Sequence, residues 1–224
     1  MSAMPIHSTE LSTVVIVGSG IAGASAALTL RSEGFTGRVV VIGDEPAPPY
    51  RRPTVSKDFL SGATAAEKTA LKPDSFWNER DIELITGATA VELDTRRKLL
   101  TISSGDTLQF SALLLATGGR ARKLEGVSGA HVFTLRSMAD ADSLRESIRR
   151  TGSLLVIGGG LIGCEVAATA RSLGAEVTVL ERDPSLLSRI VPPDISTMIA
   201  SLHSENDVDV CTCLLYTSDA ADEL

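Results

Sequence analysis

This sequence predicts an α/β fold built from two Rossmann-like dinucleotide-binding units, and three observations lead there. An apolar strand, a glycine turn and a small-residue helix follow one another over residues 14–27. The same order returns about 140 residues later, over residues 154–170. Each copy is followed by a second apolar strand that ends in an acid. One glycine motif alone is a weak signal, whereas two complete copies in strand–turn–helix context identify two dinucleotide cradles.

The first copy opens with Val14-Val15-Ile16-Val17, a mostly β-branched run of the kind a strand buried on both faces requires. Gly18, Gly20 and Gly23 then fall at the G-x-G-x-x-G spacing. The first glycine permits a tight turn, the second lets the backbone approach a pyrophosphate, and the third allows the helix to pack closely on the strand. The helix N-terminus offers unpaired N–H groups and the positive end of its dipole. Arg38-Val39-Val40-Val41-Ile42 reads as the neighbouring parallel strand. Asp44 lies 21 residues past Gly23, where such units set an acid against a ribose diol and repel a 2′-phosphate. An acid here could also merely terminate the strand, but its place in the unit favours the ribose role.

Residues 46–62 are proline-rich and read as a fixed, extended segment that holds Arg51 and Lys57, with Ser56 or Thr54 capping a short helix through Leu60. Residues 72–81, with the single tryptophan Trp77, are expected to form a short helix. Short strands are expected over 82–86, 90–94, 99–103, 108–111 and 113–116, punctuated by Gly87 and Ser104-Gly105-Asp106. The run Ala112-Leu113-Leu114-Leu115-Ala116-Thr117-Gly118-Gly119 reads as a return to the central sheet. Residues 120–150 are a crossover segment, ending in a charged helix over 138–151.

The second copy runs Leu154-Leu155-Val156-Ile157-Gly158-Gly159-Gly160-Leu161-Ile162-Gly163-Cys164-Glu165, with Gly174 closing its helix. Glu176-Val177-Thr178-Val179-Leu180-Glu181 is the next strand, and Glu181 lies 18 residues past Gly163. An acid directly at the strand end favours NAD over NADP, although the adjacent Arg182 could meet a 2′-phosphate. Two dinucleotide sites in one chain imply a flavin and a nicotinamide. Cys164, just inside the helix, is a candidate for a lowered thiol pKa or for a packing role. The boundaries that follow are 1–119 for the first unit, 120–150 for the crossover and 151–212 for the second. The first unit is interrupted by the second.

Composition excludes other classes. A formal net charge of −7 argues against a nucleic-acid surface. The most apolar run is about half the roughly 20 residues of a membrane span, and the polar first residues lack a signal-peptide pattern. Three cysteines make no disulfide framework, and the three histidines show no metal-ligand spacing. A cytoplasmic, metal-free protein is expected.

With these segments in hand the chain, over residues 14–212, resembles the single-flavin NADH:ferredoxin reductases of bacterial oxygenase systems, the putidaredoxin and rhodocoxin reductase type. The resemblance is carried by Val17-Gly18-Ser19-Gly20-Ile21-Ala22-Gly23, Ile42-Gly43-Asp44-Glu45, Arg52-Pro53-Thr54-Val55-Ser56-Lys57, Leu115-Ala116-Thr117-Gly118-Gly119-Arg120, Leu135-Arg136 and residues 156–168. It implies that Gly18, Gly20, Ile21, Ala22 and Gly23 hold the FAD pyrophosphate. Asp44, with Glu45, would take the adenosine ribose, and Arg51, Ala90, Thr117, Gly118 and Arg136 would complete the flavin contacts. Lys57 would lie beside the reactive edge of the isoalloxazine, where a cation stabilises negative charge. Gly158, Gly160 and Gly163 would hold the NAD pyrophosphate, Glu181 its ribose, and Ile162 and Glu165 would lie near the nicotinamide. A carboxylate in a first helical turn also complements the dipole, so Glu165 carries both readings.

The implied chemistry is hydride transfer from NADH to FAD, then single electrons to a ferredoxin-type iron–sulfur partner, with NADH favoured over NADPH. No cysteine pair occurs in the first half of the chain, so electrons are expected to leave the flavin directly. Alternatives are a related FAD reductase serving rubredoxin, nitrite reductase or oxygen, or an inactive fragment. Ala121 and Lys123 replace prolines of the family in the loop after Thr117-Gly118-Gly119. Residues 213–224 do not continue the nicotinamide unit. They match the in-frame translation of a sequencing-library adaptor, so the natural sequence is expected to end near Thr212 and the fold to be incomplete at the C-terminus.

Overall fold

The structure, a computed structural model, describes residues 12–213. The adaptor-like tail lies outside the described residues apart from Cys213. In chain order the elements are β1 (Thr13–Val17), α1 (Ile21–Ser32), β2 (Arg38–Ile42), a 3-10 turn (Arg52–Ser56), α2 (Asp58–Ser61), α3 (Ala66–Thr69), α4 (Asp74–Glu79), β3 (Ile82–Ile85), β4 (Ala90–Asp94), β5 (Leu99–Ile102), β6 (Thr107–Gln109) and β7 (Ala112–Leu115). They continue with α5 (Met138–Thr151), β8 (Ser153–Ile157), α6 (Leu161–Ser172), β9 (Glu176–Leu180), α7 (Pro193–Glu205) and β10 (Val208–Cys211). The chain divides into two compact units, one of residues up to 52 with 67–120, the other of 53–66 with the residues from 121 onward. Residues 53–66, which the chain order places within the first unit, thus group with the second, while residues 46–52 stay with the first.

The first unit is a parallel sheet in the order β3-β2-β1-β7. Its central strands are apolar throughout because both faces are covered. Val14, Ile16, Val39 and Val41 pack against Ala24 and Ala27 of α1, with Trp77 and Ile82. Val15, Val17, Val40 and Ile42 point the other way, onto Leu100, Ile102, Leu108 and Phe110. Those last residues belong to the antiparallel meander β4-β5-β6, or to the turn just after it. The expected helix over 72–81 is shorter, Asp74–Glu79, because Pro73 holds an extended ψ of 153° at its N-cap and disfavours helix at the residue before it.

The second unit repeats the plan with a parallel sheet in the order β10-β9-β8. Helix α6 packs on β8 and β9, and α5 contacts α2 and β8. The start of α5 is set by a capping box: the Ser137 hydroxyl accepts from the Asp140 N–H at 3.1 Å, and Asp140 accepts from the Ser137 N–H at 2.8 Å. Gly152, at φ +67°, closes it. Among the described residues, alternate positions of β8, Leu155 and Ile157, remain exposed while Val156 is buried. Neither Thr54 nor Ser56 caps α2. Its N-cap is Lys57, without a side-chain cap, because the Ser56 hydroxyl is donated elsewhere.

In both units the third glycine of the turn meets the first. A Cβ at Gly23 would collide with the Gly18 carbonyl oxygen, and one at Gly163 with that of Gly158. Cys164 is buried on the next position of α6, its thiol directed at the Gly159 carbonyl at 3.5 Å. Burial, helped by the charges of Glu181 and Glu165, pushes this thiol up rather than down. The packing reading of Cys164 is the one the geometry favours, and the helix N-terminus does not activate it.

Two outcomes follow. Gly23→Ala, which must displace backbone, is expected to cost roughly 1–3 kcal/mol, read as a lowered urea midpoint in the fluorescence of buried Trp77. Gly20→Ala, which meets open space, should cost less than about 1 kcal/mol, so equal losses would refute the close-packing account. A disulfide-exchange reagent at pH 8 should modify exposed Cys211 and Cys213 rapidly and buried Cys164 only as the protein unfolds. A Cys164→Ala variant that lost a fast-reacting thiol would contradict this.

Candidate functional site

In the first unit, three turns leave the carboxyl ends of adjacent parallel strands, where open α/β sheets bind ligands. The Gly18 N–H donates to Ile42 O at 2.8 Å, Gly43 N–H to Ile85 O at 2.9 Å, and Ala116 N–H to Val17 O at 2.7 Å. Gly18 sits at φ +116°, and a side chain there would strike the Ala116 carbonyl. Nothing lies within 4 Å of a Cβ placed at Gly20. Helix α1 has no side-chain cap and no acidic residue in its first turn. Ile21, Ala22 and Gly23 form that first turn, Ile21 with its side chain exposed.

Asp44 stands exposed just beyond β2. Its neighbour Glu45 is engaged by the protein: it accepts from the Tyr50 hydroxyl at 2.6 Å and pairs with Arg52 at 2.7 Å. Arg52 also donates to the Tyr50 hydroxyl and lies over its ring, 4.9 Å from the centroid. Arg52 opens the Arg52–Lys57 segment marked in sequence, but its pairing with Tyr50 was not, and that pairing fixes the chain just after Glu45. The backbone N–H of Arg51 is held by Thr69 O at 2.8 Å. Ala90 begins β4, half-buried against the meander core. Thr117 and Gly118 (φ +67°) form the exposed turn after β7.

The second unit reproduces the cradle. Gly158, at φ +108°, donates to Leu180 O at 2.8 Å, Gly160 has open space at its Cβ position, and α6 again lacks both a side-chain cap and an acid in its first turn. Ile162 is exposed on that turn. Glu181 is held by backbone: one oxygen accepts from Gly159 N–H at 2.5 Å, the other from Asp183 N–H at 2.7 Å. The carboxylate therefore spans from the strand end to the glycine turn. Arg136 precedes α5 with an exposed side chain, its N–H donating to Asp140 at 2.9 Å.

Lys57 and Glu165, named separately from sequence, are brought together. Lys57 Nζ lies 2.7 Å from one Glu165 oxygen, and the Ser56 hydroxyl donates to the other at 2.5 Å. The Glu165 side chain is 20% exposed and that of Lys57 47%. Thr169, one turn further along α6, donates to Ser56 O at 2.9 Å. Glu165 is the fifth residue of α6, beyond the first turn, so the expected complement to the helix dipole is not its role. Its charge is met by Lys57. Ser56 and Thr169 were missed as partners because they are separated by 113 positions and share no motif.

Both turns thus fit a dinucleotide: an uncapped helix N-terminus, an open approach at the second glycine, and an acid at the end of the neighbouring strand. Among the described residues no helix is long and apolar enough to cross a membrane.

Comparison with known proteins agrees with this geometry. The family model described as pyridine nucleotide-disulphide oxidoreductase matches residues 12–218. The chain is 41% identical to the ferredoxin–NAD(+) reductase subunit of the benzene 1,2-dioxygenase system of Pseudomonas putida, covering 88% of this chain and 48% of that protein. It is 40% identical to a rubredoxin–NAD(+) reductase of Pseudomonas putida, covering 86% and 51%. Among solved structures it superposes on the reductase described as part of a covalent putidaredoxin reductase–putidaredoxin complex with a TM-score of 0.84 and 36% identity, covering 90% of this chain and 50% of that one. The ferredoxin reductase for the CYP199A2 system of Rhodopseudomonas palustris gives a TM-score of 0.85 at 35% identity, with the same coverage. The chain spans about half the length of the curated relatives it matches. With two glycine cradles, acid-ended strands and a family match over most of its length, this chain belongs to the pyridine nucleotide-disulphide oxidoreductase family.

Proposed function

We propose that this chain supplies the FAD and NADH sites of a flavoprotein reductase that passes single electrons to a ferredoxin-type iron–sulfur protein of an oxygenase system. The observation that carries the reading is the pair of glycine cradles, each with an acid at the end of the next strand. Its relatives include reductases named for ferredoxin and for rubredoxin. A rubredoxin acceptor is therefore the second reading.

When bound, NADH supplies a hydride, and FAD accepts it and releases electrons singly. The protein's part is binding and electrostatics. Gly18, Gly20 and the first turn of α1 would hold the flavin pyrophosphate, with Asp44 accepting from the adenosine ribose. Gly158, Gly160 and α6 would do the same for NADH, with Glu181 on its ribose. Glu181 opposes a 2′-phosphate, which favours NADH. Lys57 would place a cation where flavin charge increases, and Glu165 would hold it in position. Ile162, Arg51, Ala90, Thr117, Gly118 and Arg136 are assigned as further cofactor contacts. The cysteines of the described residues are free thiols, which suits a cytoplasmic location.

The test is direct. The purified chain should quench FAD fluorescence on titration and show a thermal shift with NADH larger than with NADPH. Added ferredoxin should then be reduced at the expense of NADH faster than added rubredoxin, and the reverse order would favour the second reading. Lys57→Met should slow NADH-driven flavin bleaching by roughly 10- to 100-fold with NAD⁺ affinity unchanged. A protein that takes up neither FAD nor NADH would overturn the proposal.

A further inference from the structure

Arg182, directly after Glu181, raises a conflict at the adenosine end of the second cradle, because a guanidinium there can recruit a 2′-phosphate. The loop after β9 brings a second one, Arg189, to the same carboxylate. Asp183 Oδ2 accepts from Arg189 Nε at 3.1 Å and from the Ser188 hydroxyl at 3.1 Å, while Asp183 Oδ1 lies 3.5 Å from Arg182 Nε. The two arginine side chains are 59% and 71% exposed, and Asp183 beneath them is 25% exposed. One carboxylate thus draws both guanidinium groups onto itself.

The loop that presents this cluster is anchored to the cradle. Leu187, in a left-handed turn at φ +55°, donates its N–H to Gly159 O at 2.9 Å. Leu186 is fully buried, and its carbonyl accepts from the Ser196 hydroxyl at 2.5 Å. The Asp183 N–H itself is given to Glu181. Asp183 is therefore joined through its backbone to the ribose acid and through its side chain to both arginines. The Ser188 hydrogen bond, with the charge of Arg189, holds its carboxyl below the ordinary carboxylate range, so it stays ionised wherever coenzyme binding is measured.

We propose that Asp183 is a specificity-determining residue: by pairing with Arg182 and Arg189 it withholds both from a 2′-phosphate and lets Glu181 select the unphosphorylated ribose. The four charges of the cluster, Glu181, Asp183, Arg182 and Arg189, sum to zero. Removing the Asp183 charge leaves two unpaired guanidinium groups beside the ribose end, an environment that favours a phosphate dianion. The inference rests on the reading that this cradle takes a nicotinamide dinucleotide.

The experiment is a titration of the full chain with ADP-ribose and with 2′-phospho-ADP-ribose, followed calorimetrically, which needs neither flavin nor turnover. The wild-type chain should bind ADP-ribose more tightly. Asp183→Asn, which keeps a polar partner for Ser188, and Asp183→Ala should each tighten 2′-phospho-ADP-ribose by roughly five- to tenfold, the scale of one or two exposed ion pairs. ADP-ribose affinity should change less than about threefold. Adding Arg182→Ala and Arg189→Ala to Asp183→Asn should cancel the gain. A wild-type chain that binds ADP-ribose, with variants of native circular dichroism that gain nothing for the phosphorylated ligand, overturns the inference and leaves the functional reading standing. A folded wild-type chain that binds neither ligand overturns both.

Discussion

Everything in this molecule depends on how closely one helix can approach the turn that precedes it. At both cradles the third glycine of the motif stands where any Cβ would overlap the carbonyl oxygen of the first. That contact sets the depth at which α1 and α6 lie on their sheets. It also fixes where their N-termini point: at the carboxyl ends of the strands, beside the acid that ends the next strand. Had the helix stood one methyl group further out, the uncapped N–H groups and the acid would not bound one crevice. The small residues that follow, Ala24 and Ala27 in one unit and Ala167 and Ala170 in the other, are buried for the same reason. Close approach needs small side chains along the whole facing stripe, not only at the turn.

This is also why the architecture could be read from sequence. The three glycines, the β-branched runs before them and the acids after them are each forced by local geometry, and local geometry leaves a spacing behind. The parallel pairing of β1 with β2 was legible from apolar runs typical of strands covered on both faces; β7 and β8 carry the same kind of run, although Leu114, Leu115, Leu155 and Ile157 are exposed. The meander β4-β5-β6 was legible as short strands, but not as the layer that covers Val15, Val40 and their neighbours. Alternation within a strand tells which residues are buried, not what buries them.

What was not legible is what pairs across long separations. Lys57 and Glu165 were each marked, by resemblance and by position, yet nothing in their spacing of over a hundred residues joins them. Ser56 looked like a helix cap by type, since serine before a helix commonly caps it. The half-buried Glu165 carboxylate offered its hydroxyl a charged acceptor instead, and charge-assisted bonds outweigh neutral ones. Arg182 looked like an ambiguity in coenzyme choice because sequence shows a neighbour but not its partner. Asp183 and Arg189 belong to a loop whose shape depends on Leu186 burying itself, which no period records.

The Lys57–Glu165 pair shows how burial divides labour within one interaction. Glu165 is the more covered partner, and a carboxylate in that position must have both oxygens satisfied. Lys57 takes one and Ser56 the other, while the Thr169 hydroxyl holds the Ser56 backbone. Lys57, nearly half exposed, keeps donors that Glu165 does not use, because an ammonium has three. The cation can therefore serve a ligand without abandoning its carboxylate, and the carboxylate can hold it without burying it. Removing Lys57 would leave Glu165 with one neutral donor and a charge already partly removed from water. Removing Glu165 would leave the lysine with only its 3.4 Å bond to Pro53 O. Glu165 thus fixes the position of the Lys57 ammonium.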